Sequence, residues 1–115
     1  MEMTMDIEEM LNRYRELGDR YAPARAKRGY LEDYKKSMVA MLMKEVERTK
    51  GITTASGQER EALANEQYVA MLKELQVAVQ EEEKIRYHLK AVEWEIEIWR
   101  TKQANERAER RAYGA

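Results

Sequence analysis

The residues able to do chemistry in this chain are few, and each lacks the neighbours its chemistry needs. His88 is the only histidine, and there is no cysteine. An imidazole that binds metal or moves protons needs converging partners, and neither a second imidazole nor a thiolate exists to join it. His88 also borders an apolar seam beside Tyr87 and Leu89, so it reads as structural. Glu81, Glu82 and Glu83 supply carboxylates for a divalent cation, but three successive helical residues point in different directions. They read as a solvated face with pairing to a neighbouring helix. The glycines are isolated, so no phosphate-cradling loop is present. Without cysteine there is no thiol nucleophile and no disulfide framework. The expectation is a protein that is not an enzyme, with no catalytic, cofactor-binding or metal-ligating residues and no cofactor.

Two features point to binding instead. Residues 85–99 are apolar on two sides. Ile85, Leu89, Val92, Ile96 and Trp99 form one stripe, and Tyr87, Ala91, Trp94 and Ile98 form a second on roughly the opposite side. A helix apolar on both sides needs two neighbours, so Tyr87, Ala91, Trp94 and Ile98 are the expected partner-binding residues. The second feature is basic. Arg107, Arg110 and Arg111 lie beyond the reach of a short first helix and are candidates for weak, salt-sensitive contact with nucleic acid. Basic residues also favour a helix C-terminus through the dipole alone.

The elements that position these residues are helical. Asp6 with Glu9 three residues on resembles a capping box. Ile7, Met10, Leu11, Tyr14 and Leu17 follow at helical spacing, and Gly18 suits a C-cap. The spacing predicts a first helix over about 6–17 and a turn over 18–22. Pro23 then suits the first position of a second helix, over about 23–50, with Tyr30, Leu31, Tyr34, Met38, Met41, Leu42 and Val46 on its apolar face. The run Gly51-Ile-Thr-Thr-Ala-Ser-Gly57 reads as a turn. Ser56 with Glu59 predicts a third helix over about 56–64, with Thr54 as a rival cap. Asn65 recaps a fourth over about 66–112. Along that helix Tyr68, Met71, Leu75, Ala78, Glu82, Ile85, Leu89, Val92, Ile96 and Trp99 keep heptad spacing, and only Glu82 interrupts the apolar run.

Charge patterning suggests how the helices pair. If the chain folds back near residues 53–54, Arg25, Lys27 and Arg28 face Glu81, Glu82 and Glu83. Glu32 and Asp33 then meet Lys73, and Glu45 and Glu47 meet Arg60. A first helix continuing in line brings Arg13 and Arg15 to Glu93 and Glu95, and Asp6, Glu8 and Glu9 to Arg100 and Lys102. Each exposed pair contributes about 0–1 kcal/mol, but a shifted register would set like charges opposite each other. The expected fold is all-α: a long antiparallel, coiled-coil-like helical hairpin, with a short N-terminal helix packing on the long C-terminal one, in a single domain over 1–115.

Composition agrees. Charged residues are 37% of the 115, with one proline and no phenylalanine, as expected of long helices with solvated faces. A net charge of −1 argues against a surface that is basic throughout. The methionines, Met38, Met41 and Met43 among them, suit an irregular core. Residues 1–17 lack the basic start and apolar centre of a signal peptide. No apolar run approaches the roughly 18 residues of a membrane span. A cytoplasmic protein with no membrane partner is expected.

The segments Gln58-Glu-Arg-Glu-Ala-Leu-Ala-Asn-Glu-Gln-Tyr68 and Trp99-Arg-Thr-Lys-Gln-Ala-Asn-Glu-Arg-Ala-Glu-Arg-Arg111 resemble a family of small uncharacterised helical proteins of bacteriophages and prophages. The resemblance spans about residues 30–111. It implies a phage protein working in the host cytoplasm, encoded near recombination or replication genes, and it carries no residue roles. The functional expectation is a non-enzymatic interaction or adaptor protein accessory to DNA recombination or replication. It is expected to dimerise with itself and to bind a phage or host protein. The alternatives are an inhibitor of a host enzyme or defence system, for which the Glu81–Glu83 ridge would mimic nucleic acid, and a structural virion component.

Overall fold

A computed structural model describes residues 6–114, so the ends of the expected 1–115 domain, residues 1–5 and 115, lie outside the described residues. The fold is all-α, with three helices in order: α1 (Ile7–Lys50), α2 (Ala55–Leu63) and α3 (Glu66–Ala112). No strand occurs among the described residues. The long α1 and α3 are joined through the short α2, giving the hairpin connection that the turn signals at 51–57 require.

The helix ends follow local chemistry. Asp6 Oδ1 accepts from the Glu8 amide at 2.9 Å, which caps α1. Gly51 ends α1 with a positive φ of 68° while its amide still donates to the Glu47 carbonyl, the left-handed conformation that glycine adopts without a Cβ clash. Thr54, the rival cap, is the N-cap of α2: its Oγ1 accepts from the Gly57 amide at 3.3 Å. Gly57 is needed there, because a Cβ would come within 2.7 Å of Thr54 Oγ1 and 2.8 Å of Ile52 Cγ2. Asn65 caps α3 as expected, accepting from the Gln67 amide at 2.8 Å.

One expected boundary is absent. Residues 18–22 are helical, and α1 runs unbroken for 44 residues with Pro23 inside it. The physical reason is phase. Met10, Tyr14, Leu17, Tyr21, Ala24, Arg28 and Leu31 succeed one another in alternating steps of four and three residues, a heptad seam that a turn at 18–22 would throw out of register. Met10 and Leu31 are buried, and Leu17, Tyr21, Ala24 and Arg28 are half-buried. Pro23 is exposed, so its ring displaces no core residue, although it still costs the helix about 3 kcal/mol relative to alanine.

The described residues form two compact units, one comprising residues 6–22 and 83–114 and the other residues 23–82. In the 23–82 unit, α1 and α3 are joined by α2 around a core of Leu42, Ala62, Tyr68 and Met71, with Tyr34, Met38, Val39 and Met43 packed against it. Ala62 has no exposed surface, so α2 approaches closely there. Lys50 Nζ donates to Glu61 Oε2 at 2.8 Å and ties the end of α1 to α2. That contact holds the Glu61 carboxyl below its usual value through the hydrogen bond and charge of Lys50.

In the other unit, residues 7–22 of α1 run antiparallel to α3. Arg13 Nη2 donates to Glu95 Oε2 at 2.6 Å, Tyr14 Oη to Glu93 Oε1 at 2.8 Å, and Arg86 Nη2 to Tyr21 Oη at 3.5 Å. As the number rises along α1 it falls along α3. The pairing of Arg13 with Glu95 is the one the fold-back register requires. Arg100, expected to meet Asp6, Glu8 or Glu9, instead pairs with Glu97 on its own helix at 3.0 Å. Met10, Ile85 and Val92 are buried between the helices, Ile85 almost completely.

The seam on α3 is as its spacing predicts. Tyr68, Met71, Ala78, Glu82, Ile85 and Val92 are buried, and Leu75, Leu89, Ile96 and Trp99 are half-buried. Glu82 is the one charged residue buried among them, 3% exposed. Arg28 answers it from the seam of α1: its Nη1 donates to Glu82 Oε2 at 2.8 Å, while its Nε donates to Glu32 Oε1 at 3.1 Å. Both carboxylates stabilise the guanidinium and raise its pKa, Glu82 more strongly. A charged pair within a heptad seam stabilises little against an apolar pair but penalises other registers.

Candidate interaction surfaces

The two stripes of α3 in the 83–115 segment have opposite fates. The heptad seam turns toward residues 7–22 of α1. Of the second stripe, Trp94 is 71% exposed, Tyr87 72% and Ile98 48%, whereas Ala91 is half-buried. Spacings of four, three and four residues put these side chains on one helical face. Two aromatic rings and an isoleucine therefore share one exposed face of α3. Tyr87 also sets its ring edge-on to His88, with centroids 5.8 Å apart.

Ala91 has a second role that spacing did not reveal. It floors an open groove of about 350 Å³ whose walls include Arg13, Leu17, Arg20 and His88. Such a groove exists only once α1 and α3 are paired, and nothing in the linear order of those residues announces it. His88 is exposed at its rim. Among the described residues no three histidine or acidic side chains come together in a way that could hold a metal ion. Of the Glu81–Glu83 run, Glu82 points into the seam and Glu81 and Glu83 are exposed, so the three do not form one continuous acidic ridge. Glu83 pairs with Arg86 at 3.4 Å.

Arg107, Arg110 and Arg111 are all exposed near the end of α3. Arg110 and Arg111 fall in its last turn, where a positive charge favours the helix dipole. Glu106 and Glu109 lie among them, which dilutes the local positive charge. No helix among the described residues is long and apolar enough to cross a membrane.

Comparison with protein-family models, with curated proteins and with solved structures gave no match.

Proposed function

We propose that this chain is a non-enzymatic interaction protein of phage origin, an adaptor accessory to DNA recombination or replication in the host cytoplasm. The observation that carries the interaction reading is the exposed line of Tyr87, Trp94 and Ile98 on α3. Fully burying side chains of this size yields about 1.5–3 kcal/mol each, and aromatic anchors dominate many interfaces. The sites supplied by α1 and α3 are surfaces, and a pair of helices with solvated flanks suits docking better than chemistry. The phage and DNA-metabolism part rests on the sequence resemblance over residues 30–111, with the exposed Arg107, Arg110 and Arg111 as its support in the fold. Contact with nucleic acid by those three is weak and falls with added salt.

The test is direct binding. The full chain is used as bait in infected cells, and each captured protein is then purified and titrated against it. Saturable binding to a phage recombination or replication protein supports the adaptor reading. Binding only to a host enzyme, or only to assembled particles, overturns it in favour of an inhibitor or a virion component.

A further inference from the structure

We infer that the Tyr87–Ile98 face of α3 is the interface of an antiparallel two-fold dimer with a second copy of this chain. The inference deepens the adaptor reading by naming the first occupant of its surface.

Volume, charge and area each point to that occupant. Consider two copies of α3 laid face to face and antiparallel, with the two-fold axis passing between Val92 and Glu93. Trp94 of one copy then meets Ala91 of the other, and Tyr87 meets Ile98. Each large side chain opposes a smaller one, the alternation that lets facing layers interdigitate. A parallel pair would instead stack Trp94 on Trp94 and leave Ala91 opposite Ala91.

The charges flanking the stripe agree. Lys90 and Glu97 lie seven residues apart along one edge of it, both exposed. In the antiparallel arrangement Lys90 of each copy comes beside Glu97 of the other, twice by symmetry. Glu97 pairs with Arg100 on its own helix, both side chains being about two-thirds exposed, and its carboxylate has room for a second partner. In a parallel pair Lys90 would instead need Glu95, which Arg13 already holds at 2.6 Å.

The area is sufficient to begin an interface. Tryptophan and tyrosine each bring on the order of 150–250 Å², and Trp94 and Tyr87 are 71% and 72% exposed. Four such rings in a dimer provide several hundred Å² of the roughly 1,600 Å² of a standard interface. The flanking charged stems and Ile98 extend it.

The chain is tested whole, by sedimentation and light scattering, with circular dichroism to confirm that helix is retained. A dimer is expected for the wild type at high micromolar concentration, and a monomer there overturns the inference. Trp94→Glu with Ile98→Glu should weaken association by roughly 100-fold or more while leaving helix content unchanged, because both side chains face solvent in the single copy. Register is read by charge exchange. Lys90→Glu alone and Glu97→Lys alone should each weaken the dimer, by roughly tenfold. The double variant should recover wild-type association, since it recreates both pairs with the charges swapped. Failure of the double variant to recover, with the dimer otherwise intact, overturns the antiparallel arrangement. A monomeric chain that still binds a phage DNA-processing protein would sink this inference and leave the adaptor reading standing.

Discussion

The 23–82 unit and the unit formed by residues 6–22 and 83–114 use the same long helices and bury them differently. The first has a third helix. Ala62 of α2 is wholly buried against the others, and Leu42, Tyr68 and Met71 complete an enclosed cluster. Its exposed apolar residues on α3 are the aliphatic Val69, Leu72 and Val77, with no aromatic ring among them. The second has only two helix segments, so each buries one face, and the back of α3 keeps Tyr87, Trp94 and Ile98 in line and in water. The difference lies in the number of neighbours. Two helices suffice for one seam each, and any second apolar stripe then needs a partner from elsewhere.

Truncation within each unit gives the largest expected contrast. Leu42→Ala should cost about 2–5 kcal/mol, the transfer term plus an unfilled cavity. Trp94→Ala, measured by urea unfolding at a concentration dilute enough to keep the chain monomeric, should change stability by no more than about 0.5 kcal/mol. If the two losses are equal, Trp94 is packed within its own chain and the contrast between the units fails.

Pro23 comes next in size, and it sharpens the reading of α1. As the first residue of a helix, proline is favourable, and replacing it would gain nothing. Inside a continuous helix it costs about 3 kcal/mol, partly offset by about 1 kcal/mol for the stiffer unfolded chain. Pro23→Ala should therefore stabilise the protein by about 2 kcal/mol in chemical denaturation. No gain, or a loss, would mean that the helix is broken at 18–22 after all.

That position also shows what the residues announce and what they hide. The α3 seam from Tyr68 to Trp99, the Gly51 turn and the Asn65 cap were legible because pattern and local chemistry agree there. At 18–23 they conflict. Gly18 and Pro23 signal a boundary, whereas the phase of Met10, Leu17, Ala24 and Leu31 signals continuity. Packing along a seam outweighed one unfavourable residue, as tertiary context commonly overrides propensity. Glu82 was visible as an interruption of the α3 seam, and the fold-back register already set Arg25, Lys27 and Arg28 opposite Glu81, Glu82 and Glu83; which of those side chains meet, Arg28 with Glu82 at 2.8 Å, needed the packed helices. The exposed stripe could be read because it is periodic. The groove over Ala91 could not, because its walls come from two distant segments.

The Arg28–Glu82 pair predicts a smaller effect. Glu82→Ala removes the acceptor that Arg28 meets in the seam and should lower the urea midpoint. Replacing both residues with leucine should restore or exceed wild-type stability, since an apolar pair of similar size avoids the desolvation cost. If the double substitution is as damaging as the single one, the pair contributes more than register. Loss of a unique register in the stable double variant, seen as multiple amide resonances, would show that selecting the alignment is its role.

The smallest effect belongs to the two-helix unit and is seen at alkaline pH. Tyr14 donates to Glu93 at 2.8 Å. The hydrogen bond to that carboxylate, then partial burial and its negative charge, raise the phenol above its ordinary value of 10.0. A raised folded-state value means that the native chain holds the proton more tightly than the unfolded one. The stabilisation is therefore complete below the unfolded value and disappears as pH rises through the folded one. Because Tyr14 is over one-third exposed, water screens the interaction and the effect is slight. Tyr14→Phe should flatten that part of the stability profile at and above pH 10.0 and leave neutral stability nearly unchanged. Ultraviolet titration at the phenolate band should show a late-ionising tyrosine in the wild type that is missing from the variant. If wild type and Tyr14→Phe lose stability in parallel through that range, the Tyr14–Glu93 contact does not hold residues 7–22 to α3 in solution.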